Sequence, residues 1–136
     1  MPALVLDASV ALTWCFPDEG SEYAYNVLDM LEKESAIVPV LWFLEIANAI
    51  AIGERQKRLS PADVNRFLQL VSQLSVETDD QTARRALTET IALARAHSLS
   101  SYDASYLELA IREGMPIATL DHGIRKAARA LGVRVV

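Results

Sequence analysis

The sequence holds one cysteine, two histidines and no long apolar run, and each shortage excludes a class of protein. Cys15 alone rules out an internal disulfide and a zinc site built from cysteines. His97 and His122 are too few for a zinc site built from histidines. No apolar run approaches the roughly 20 residues that a membrane-spanning helix needs. The segment MPALVLDASV lacks a basic start and meets Asp7, so it is unlike a signal peptide, and we expect a cytoplasmic protein with no membrane contact.

The length and composition are those of an ordinary globular domain. The chain has 136 residues, of which 51% are hydrophobic and 23% charged. A chain of this length buries roughly two thirds of its unfolded surface, so it can form a stable core without disulfides or bound metal ions. We therefore predict one domain over residues 1–136.

The charge does not decide the partner. The formal net charge is −5, which taken alone argues against binding to nucleic acid. The acids are concentrated at the start, since residues 1–50 hold eight acidic residues and one basic residue. Residues 122–136 hold four basic residues and no acid. If some of the acids hold a metal ion, the ion cancels their charge and reverses the local sign.

The apolar pattern alternates between short strands and amphipathic helices. Strands are predicted at 3–6, 36–38, 74–76, 116–120 and 133–136. Helices are predicted at 10–15, 20–34, 41–56, 61–73, 80–97, 101–113 and 122–130, with Ser9 as the cap of the first. This alternation is typical of an α/β protein with a parallel sheet covered by helices on both faces. Such sheets bind ligands at the carboxyl ends of their strands.

Four carboxylates stand in apolar surroundings. Asp7 and Asp121 end predicted strands, Glu45 lies in the most apolar helical stretch, and Asp103 lies in the first turn of another apolar helix. Each has an ordinary structural explanation on its own, as a helix cap, an exposed helical residue or a helix-start acid. If they share one pocket, however, two such charges ~4 Å apart repel by about 4 kcal/mol at an effective dielectric constant of 20. Mg²⁺ or Mn²⁺ relieves such repulsion with oxygen ligands, and favours phosphoryl transfer by an activated water.

Several segments, in this order and spacing, match a known family. They are LVLDASVAL around Asp7, residues 39–49 with Glu45 and Asn48, residues 99–110 with Tyr102, Asp103 and Tyr106, residues 116–121 with Thr119 and Asp121, and the closing residues 127–133. Together these segments span nearly the whole chain. On this basis the chain resembles the PIN-domain ribonucleases, and within them the VapC-type toxins of toxin–antitoxin pairs.

The resemblance implies a three-layer α/β/α sandwich with a central parallel sheet, and an endoribonuclease that cleaves tRNA, rRNA or mRNA. The implied catalytic and metal-binding residues are Asp7, Glu45, Asp103 and Asp121, with Mg²⁺ or Mn²⁺ as the cofactor. Ser9 and Thr119 are expected to support the metal ligands by hydrogen bonds. Asn48 follows Glu45 by about one helical turn and is expected to face the same pocket.

The same resemblance implies a VapB-type antitoxin as partner, and a homodimer. The aromatic residues Trp14, Phe16, Trp42 and Phe43 are equally consistent with core packing and with a groove for an apolar helix of the antitoxin. RNA phosphates are expected to contact Arg125, Lys126 and Arg129, and the basic cluster at 55–58. The alternative for these basic residues is a solvated helix face.

Three other functions remain open from the residues. A signalling receiver domain needs an acid at the end of the third strand, where Glu77, Asp79 and Asp80 lie, but it gives Glu45 and Asp103 no role. A phosphatase of the haloacid-dehalogenase type needs a second acid two residues after Asp7, where the chain has Ser9. A PIN-like module that binds RNA or protein without cutting is the nearest alternative to the nuclease.

Overall fold

The computed structural model describes all of residues 1–136, and it is built on a sheet of four parallel strands. The strands are β1 (Leu4–Leu6), β2 (Ala36–Pro39), β3 (Val76–Asp79) and β4 (Ile117–Ala118). Their order in the sheet is β3-β2-β1-β4, so β1 lies in the middle beside β2 and β4. Because parallel strands need crossover connections, helices link them over the sheet. The predicted α/β fold with a central parallel sheet is confirmed.

Eight α-helices and one π-helical segment make up the rest of the regular structure. They are α1 (Ala8–Thr13), α2 (Glu22–Met30), α3 (Leu41–Arg55), α4 (Pro61–Ser72), α5 (Thr82–Arg85), the π-helical segment (Ala86–Thr90), α6 (Ile91–His97), α7 (Ser101–Glu113) and α8 (His122–Leu131). No helix combines the length and the hydropathy that crossing a membrane would require.

The core is centred on β1 and α7. All three residues of β1 are fully buried, as expected for a central parallel strand. Helix α7 is buried over seven consecutive residues, 104–110, and it packs against β1, β2 and β4. A helix that is buried all round holds its first turn firmly, and that turn contains Asp103.

Several predicted boundaries were wrong. The first helix begins at Ala8, and the Ser9 hydroxyl does not cap it because that hydroxyl is bonded to the Asp7 carboxylate. The predicted helix at 20–34 is shorter, and the one at 80–97 is interrupted by the π-helical segment. The predicted last strand at 133–136 forms only one bridge, between Val135 and Ile117.

The third strand runs from Val76 to Asp79 rather than over 74–76, because these four residues pair in register with Ala36–Pro39 of β2. The Arg112 guanidinium donates to both Asp79 oxygens, at 2.9 and 3.0 Å, and its Nε donates to Glu108 at 2.9 Å. Burial favours the neutral form of Asp79, but the bonds from Arg112 and Thr82 outweigh it and hold its pKa below the usual value. The triad ties edge strand β3 to the central helix α7. Asp79 is therefore engaged in the fold by its ion pair with Arg112, which counts against it as the phosphoacceptor of the receiver hypothesis.

Candidate metal centre

Two of the predicted acids lie at the ends of adjacent strands. Asp7 directly follows β1, and Asp121 follows β4, with Thr119 between β4 and Asp121. Because β1 and β4 are parallel neighbours, their carboxyl ends reach the same edge of the sheet. The topology thus brings together residues that are more than 100 positions apart in the chain.

Hydroxyl groups fix the Asp7 carboxylate. Ser9 Oγ donates to Asp7 Oδ2 at 2.6 Å, and Thr119 Oγ1 donates to the same oxygen at 2.7 Å. Each hydroxyl in turn accepts from the backbone that follows β4, Ser9 Oγ from Leu120 N and Thr119 Oγ1 from Asp121 N, both at 3.0 Å. Both side-chain donors bind Oδ2, and no side chain donates to the second oxygen, Oδ1. Asp7 is thus held by one oxygen and offers the other to a ligand, although its side chain is nearly buried.

Asp121 is oriented by the helix that it begins. Its Oδ2 accepts from Ile124 N at 2.8 Å and caps α8. Gly123 leaves room for this arrangement, since a Cβ there would lie 3.2 Å from Asp121 Oδ2 and 3.1 Å from Leu99 Cδ2. The cap also uses only one carboxylate oxygen.

Glu45 is joined to the central helix through a tyrosine. The hydroxyl of Tyr106 donates to Glu45 Oε1 at 2.6 Å, and the Tyr106 side chain is fully buried. Tyr106 lies three residues after Asp103 on α7, so the two share a helix face. Helix α7 therefore positions Asp103 directly and Glu45 through Tyr106.

The four acids affect one another electrostatically. Burial raises the pKa of Asp7, partly offset by the bonds from Ser9 and Thr119, and the charge of Asp121 raises it further. Burial likewise raises the pKa of Glu45, against the bond from Tyr106, and the charges of Asp7 and Asp103 add to it. Burial, followed by the charges of Asp121 and Asp7, raises the pKa of Asp103 to about 6. The acids thus form one electrostatic cluster in which negative charge is in excess.

The side chains of the four acids do not form a preformed metal site. No group of three or more Asp, Glu, His or Cys side chains is close enough to hold a metal ion. Like charges favour such separation when no cation holds them together. The donors fit Mg²⁺ or Mn²⁺ in kind, because they are carboxylate oxygens with free positions on Asp7, Glu45 and Asp121. The roles of these residues as ligands stay a prediction.

The other predicted residues occupy different surroundings. Asn48 is exposed and lines the same cavity as Glu45, one turn further along α3. Arg125 is committed to the fold, since its Nε donates to Thr119 O at 2.7 Å and its guanidinium lies 4.8 Å from the centre of the Tyr23 ring. Lys126 and Arg129 are exposed on α8. Contact of these three basic residues with phosphate stays a prediction.

The aromatic set divides between core and surface. Trp14, Phe16 and Trp42 are buried, whereas the Phe43 side chain is 44% exposed. Trp42 and Phe43 make an edge-to-face contact at 4.9 Å, and both line an apolar cavity of about 390 Å³ between α3 and α4. Core packing accounts for Trp14 and Phe16, whereas Trp42 and Phe43 border a groove between α3 and α4.

Two tyrosines, Tyr106 and Tyr23, support the site in ways that the sequence did not predict. Tyr106 stood within a recognised motif, but nothing in the sequence showed that its hydroxyl reaches Glu45, 61 positions away. The Tyr23 hydroxyl accepts from Thr119 N at 3.3 Å, so it supports the same strand end. A buried tyrosine needs a partner for its hydroxyl, and that need is the only sequence signal for either role.

Comparison with known proteins identifies related chains. The family model described as PIN domain matches residues 4–130. Ribonuclease VapC3 of Pyrobaculum aerophilum is 26% identical over 128 residues, which cover 94% of this chain and 96% of that protein.

Solved structures share the fold. PAE2754 from Pyrobaculum aerophilum superimposes with a TM-score of 0.70 at 23% identity, over 99% of this chain and 91% of that one. A toxin–antitoxin complex from Klebsiella pneumoniae gives a TM-score of 0.56 at 14% identity, over 88% of this chain and 87% of that one. At these identities the structures establish the fold.

Proposed function

Because this chain belongs to the PIN domain family, we propose that it is a metal-dependent endoribonuclease and the toxin of a type II toxin–antitoxin pair. The observation that carries the proposal is the cluster of coupled acids at the carboxyl edge of β1 and β4. The similarity to a ribonuclease over nearly the whole chain supports the RNA substrate and the VapC type.

Asp7, Glu45, Asp103 and Asp121 would hold Mg²⁺ or Mn²⁺. When bound, such an ion would supply a lowered pKa for a water molecule and a positive charge beside the phosphate. Ser9 and Thr119 keep Asp7 Oδ2 occupied, so that Oδ1 faces the ligand. Tyr106 does the same for Glu45 by bonding Oε1 and leaving Oε2 free.

The reaction is hydrolysis of a phosphodiester. A water oxygen forms a bond to phosphorus and gives up one proton, while the bond from phosphorus to the leaving sugar oxygen breaks and that oxygen gains one proton. Cys15 is buried in the core and is not available as a nucleophile. The contribution of the protein is therefore to position the acids and to orient the substrate.

The partner would be a VapB-type antitoxin, seated in the groove between α3 and α4. The apolar cavity there is bordered by Trp42, Phe43, Phe67 and Leu68, of which Phe43 and Leu68 are exposed. The solved toxin–antitoxin complex of the same fold supports a protein partner. A homodimer completes the proposed assembly.

Metal removal tests the nuclease. Cleavage of RNA by the purified protein should stop on addition of EDTA and return with excess Mn²⁺, and Asp7→Asn should cleave under neither condition. Cleavage that continues in EDTA would contradict a metal-dependent mechanism. Expression of the wild-type chain alone should arrest growth, while expression of Asp7→Asn at the same level should not.

A PIN-like module that binds RNA or protein without cutting is the second candidate. The spacing of the acids is compatible with it, because such a module would need no group of three side chains close enough to hold an ion. The two candidates differ in one measurement. RNA that binds with micromolar affinity but stays intact at every Mg²⁺ and Mn²⁺ concentration would favour the binding module.

A further inference from the structure

A cavity of about 400 Å³ extends from Glu45 along α3, away from the acid cluster. Its walls include Glu45 and Asn48 at one end and Phe16, Gly53 and Arg58 at the other. Arg58 is the only basic residue in these walls. Resting on the nuclease function proposed above, we propose that this cavity is a subsite for single-stranded RNA next to the cleaved bond, and that Arg58 binds a backbone phosphate there.

The Arg58 end of the cavity is built by close packing. A Cβ on residue 53 would lie 2.8 Å from Phe16 Cε1 and 2.9 Å from Leu59 Cδ1, so only glycine lets the Phe16 ring lie against α3. The Arg58 guanidinium lies over this ring, 4.5 Å from its centre. The buried ring fixes the plane of the guanidinium and leaves its N–H groups free for anions.

The backbone after α3 also turns to deliver Arg58. Lys57 adopts a φ of 60°, a left-handed conformation that favours glycine over a long side chain. Directly after it, Arg58 N donates to Gly53 O at 2.8 Å, which closes the end of the helix. Lys57 thus adopts a backbone conformation that is unfavourable for its residue type. The turn that it makes places Arg58 in the wall of the cavity.

In the free protein the guanidinium is occupied by acids that mimic a phosphate. Arg58 Nη2 lies 2.6 Å from Glu19 Oε2 and 3.3 Å from Asp18 Oδ1. All three side chains are 40% exposed or more, so the pairs contribute little to stability and exchange readily. A phosphate oxygen can replace them with a bidentate contact that a guanidinium favours.

The position of the cavity indicates RNA rather than a free anion. Glu45 belongs both to the acid cluster and to the cavity wall, so a strand cleaved at the cluster can continue into the cavity. Gly53, to which Arg58 N is bonded, lies eight residues after Glu45, which is about 12 Å along the helix axis. That separation suits a phosphate a nucleotide or two from the cleaved bond, and Asn48 lies between with an amide for the sugar or base.

The test compares Arg58→Gln with Arg66→Gln. Arg66 also pairs with an acid at the surface, Asp63, and its removal changes the net charge equally, but it lies outside the cavity. Binding of a fluorescent single-stranded RNA is measured by anisotropy over a range of salt. We expect Arg58→Gln to weaken binding roughly tenfold and to reduce the salt slope by about one, with Arg66→Gln near wild type. Equal affinities of the two variants would overturn the inference and assign the cavity to a basic side chain of a partner protein.

A second variant separates substrate binding from a structural role. Asp18→Asn with Glu19→Gln breaks the same ion pairs but keeps Arg58. If Arg58 serves only to anchor residues 18 and 19, this variant and Arg58→Gln should behave alike. We expect opposite effects instead, with tighter RNA binding that is lost when Arg58→Gln is added. Failure of the wild-type protein to cleave RNA would refute the proposed function alone, since the binding comparison does not depend on cleavage.

Discussion

Replacement of Asp103 by Asn should stabilise the metal-free protein at neutral pH. The pKa of Asp103 is raised from its usual 3.8 to about 6, by burial and by the charges of Asp121 and Asp7. A difference of one pKa unit corresponds to about 1.4 kcal/mol, so the shift amounts to about 3 kcal/mol at most. Because the side chain is partly exposed, screening reduces this to about 1–2 kcal/mol. Asn keeps the size of the side chain and removes its charge.

The direction of the pH dependence follows from the number of protons that Asp103 binds in the folded and in the unfolded state. Between pH 3.8 and about 6 the folded protein binds more protons at Asp103 than the unfolded chain does. The free energy of unfolding therefore falls as the pH rises through this window, and stays low above it. Below pH 3.8 both states are protonated, so this contribution vanishes. Asp103→Asn should flatten this part of the profile.

The assay is thermal unfolding in EDTA at pH 7.5 and at pH 4.5. At pH 7.5 the midpoint of Asp103→Asn should exceed that of wild type by about 3–7 °C, with a smaller difference at pH 4.5. Excess Mn²⁺ should raise the midpoint of wild type and have much less effect on the variant. A lower midpoint for metal-free Asp103→Asn at pH 7.5 would refute the electrostatic cluster.

Asp79→Asn is the matched control, with the same chemical change and the opposite expectation. Asp79 is buried and paired with Arg112 through two bonds, so its neutralisation leaves a buried guanidinium with one fewer anionic partner. Loss of one member of a buried ion pair costs about 3–5 kcal/mol. The pKa of Asp79 is lowered, so its stabilising contribution is complete above pH 4 and is lost as the pH falls through its folded pKa.

Two further substitutions test the packing around the site. Tyr106→Phe should lower the rate of RNA cleavage by about tenfold or more, because Glu45 loses its orienting bond, while Tyr102→Phe, on an exposed ring of the same helix, should leave the rate unchanged. Gly53→Ala should lower the free energy of unfolding by about 1–3 kcal/mol in a denaturant titration, because its Cβ overlaps the Phe16 ring. Gly20→Ala, whose Cβ would meet only ordinary contacts, is the control, and equal stability of both variants would contradict the close packing.

The sequence by itself determined the class of fold and the identity of the acids. The alternation of short apolar runs with amphipathic stretches is a local property, so it predicted a parallel sheet with helices. The acids stood out because carboxylates are rarely buried without a partner, and their neighbours in the chain are apolar. Strand ends are not a local property, since the extent of β3 follows from its pairing with β2, about 40 positions earlier in the chain.

Only the tertiary structure decided which oxygens are held and which are free. Thr119 reaches Asp7 across 112 positions, Tyr106 reaches Glu45 across 61, and Arg58 reaches Glu19 across 39. These bonds depend on strand order and on helix packing, which no local pattern contains. The same packing gave Asp79 a structural role and Asp103 an electrostatic one, although the sequence marked Asp103 only by its apolar surroundings and Asp79 only as an acid after the third strand. Whether the charge of an acid stabilises or destabilises the fold depends on the burial of its carboxylate and on the partners of that carboxylate, and not on the residue type.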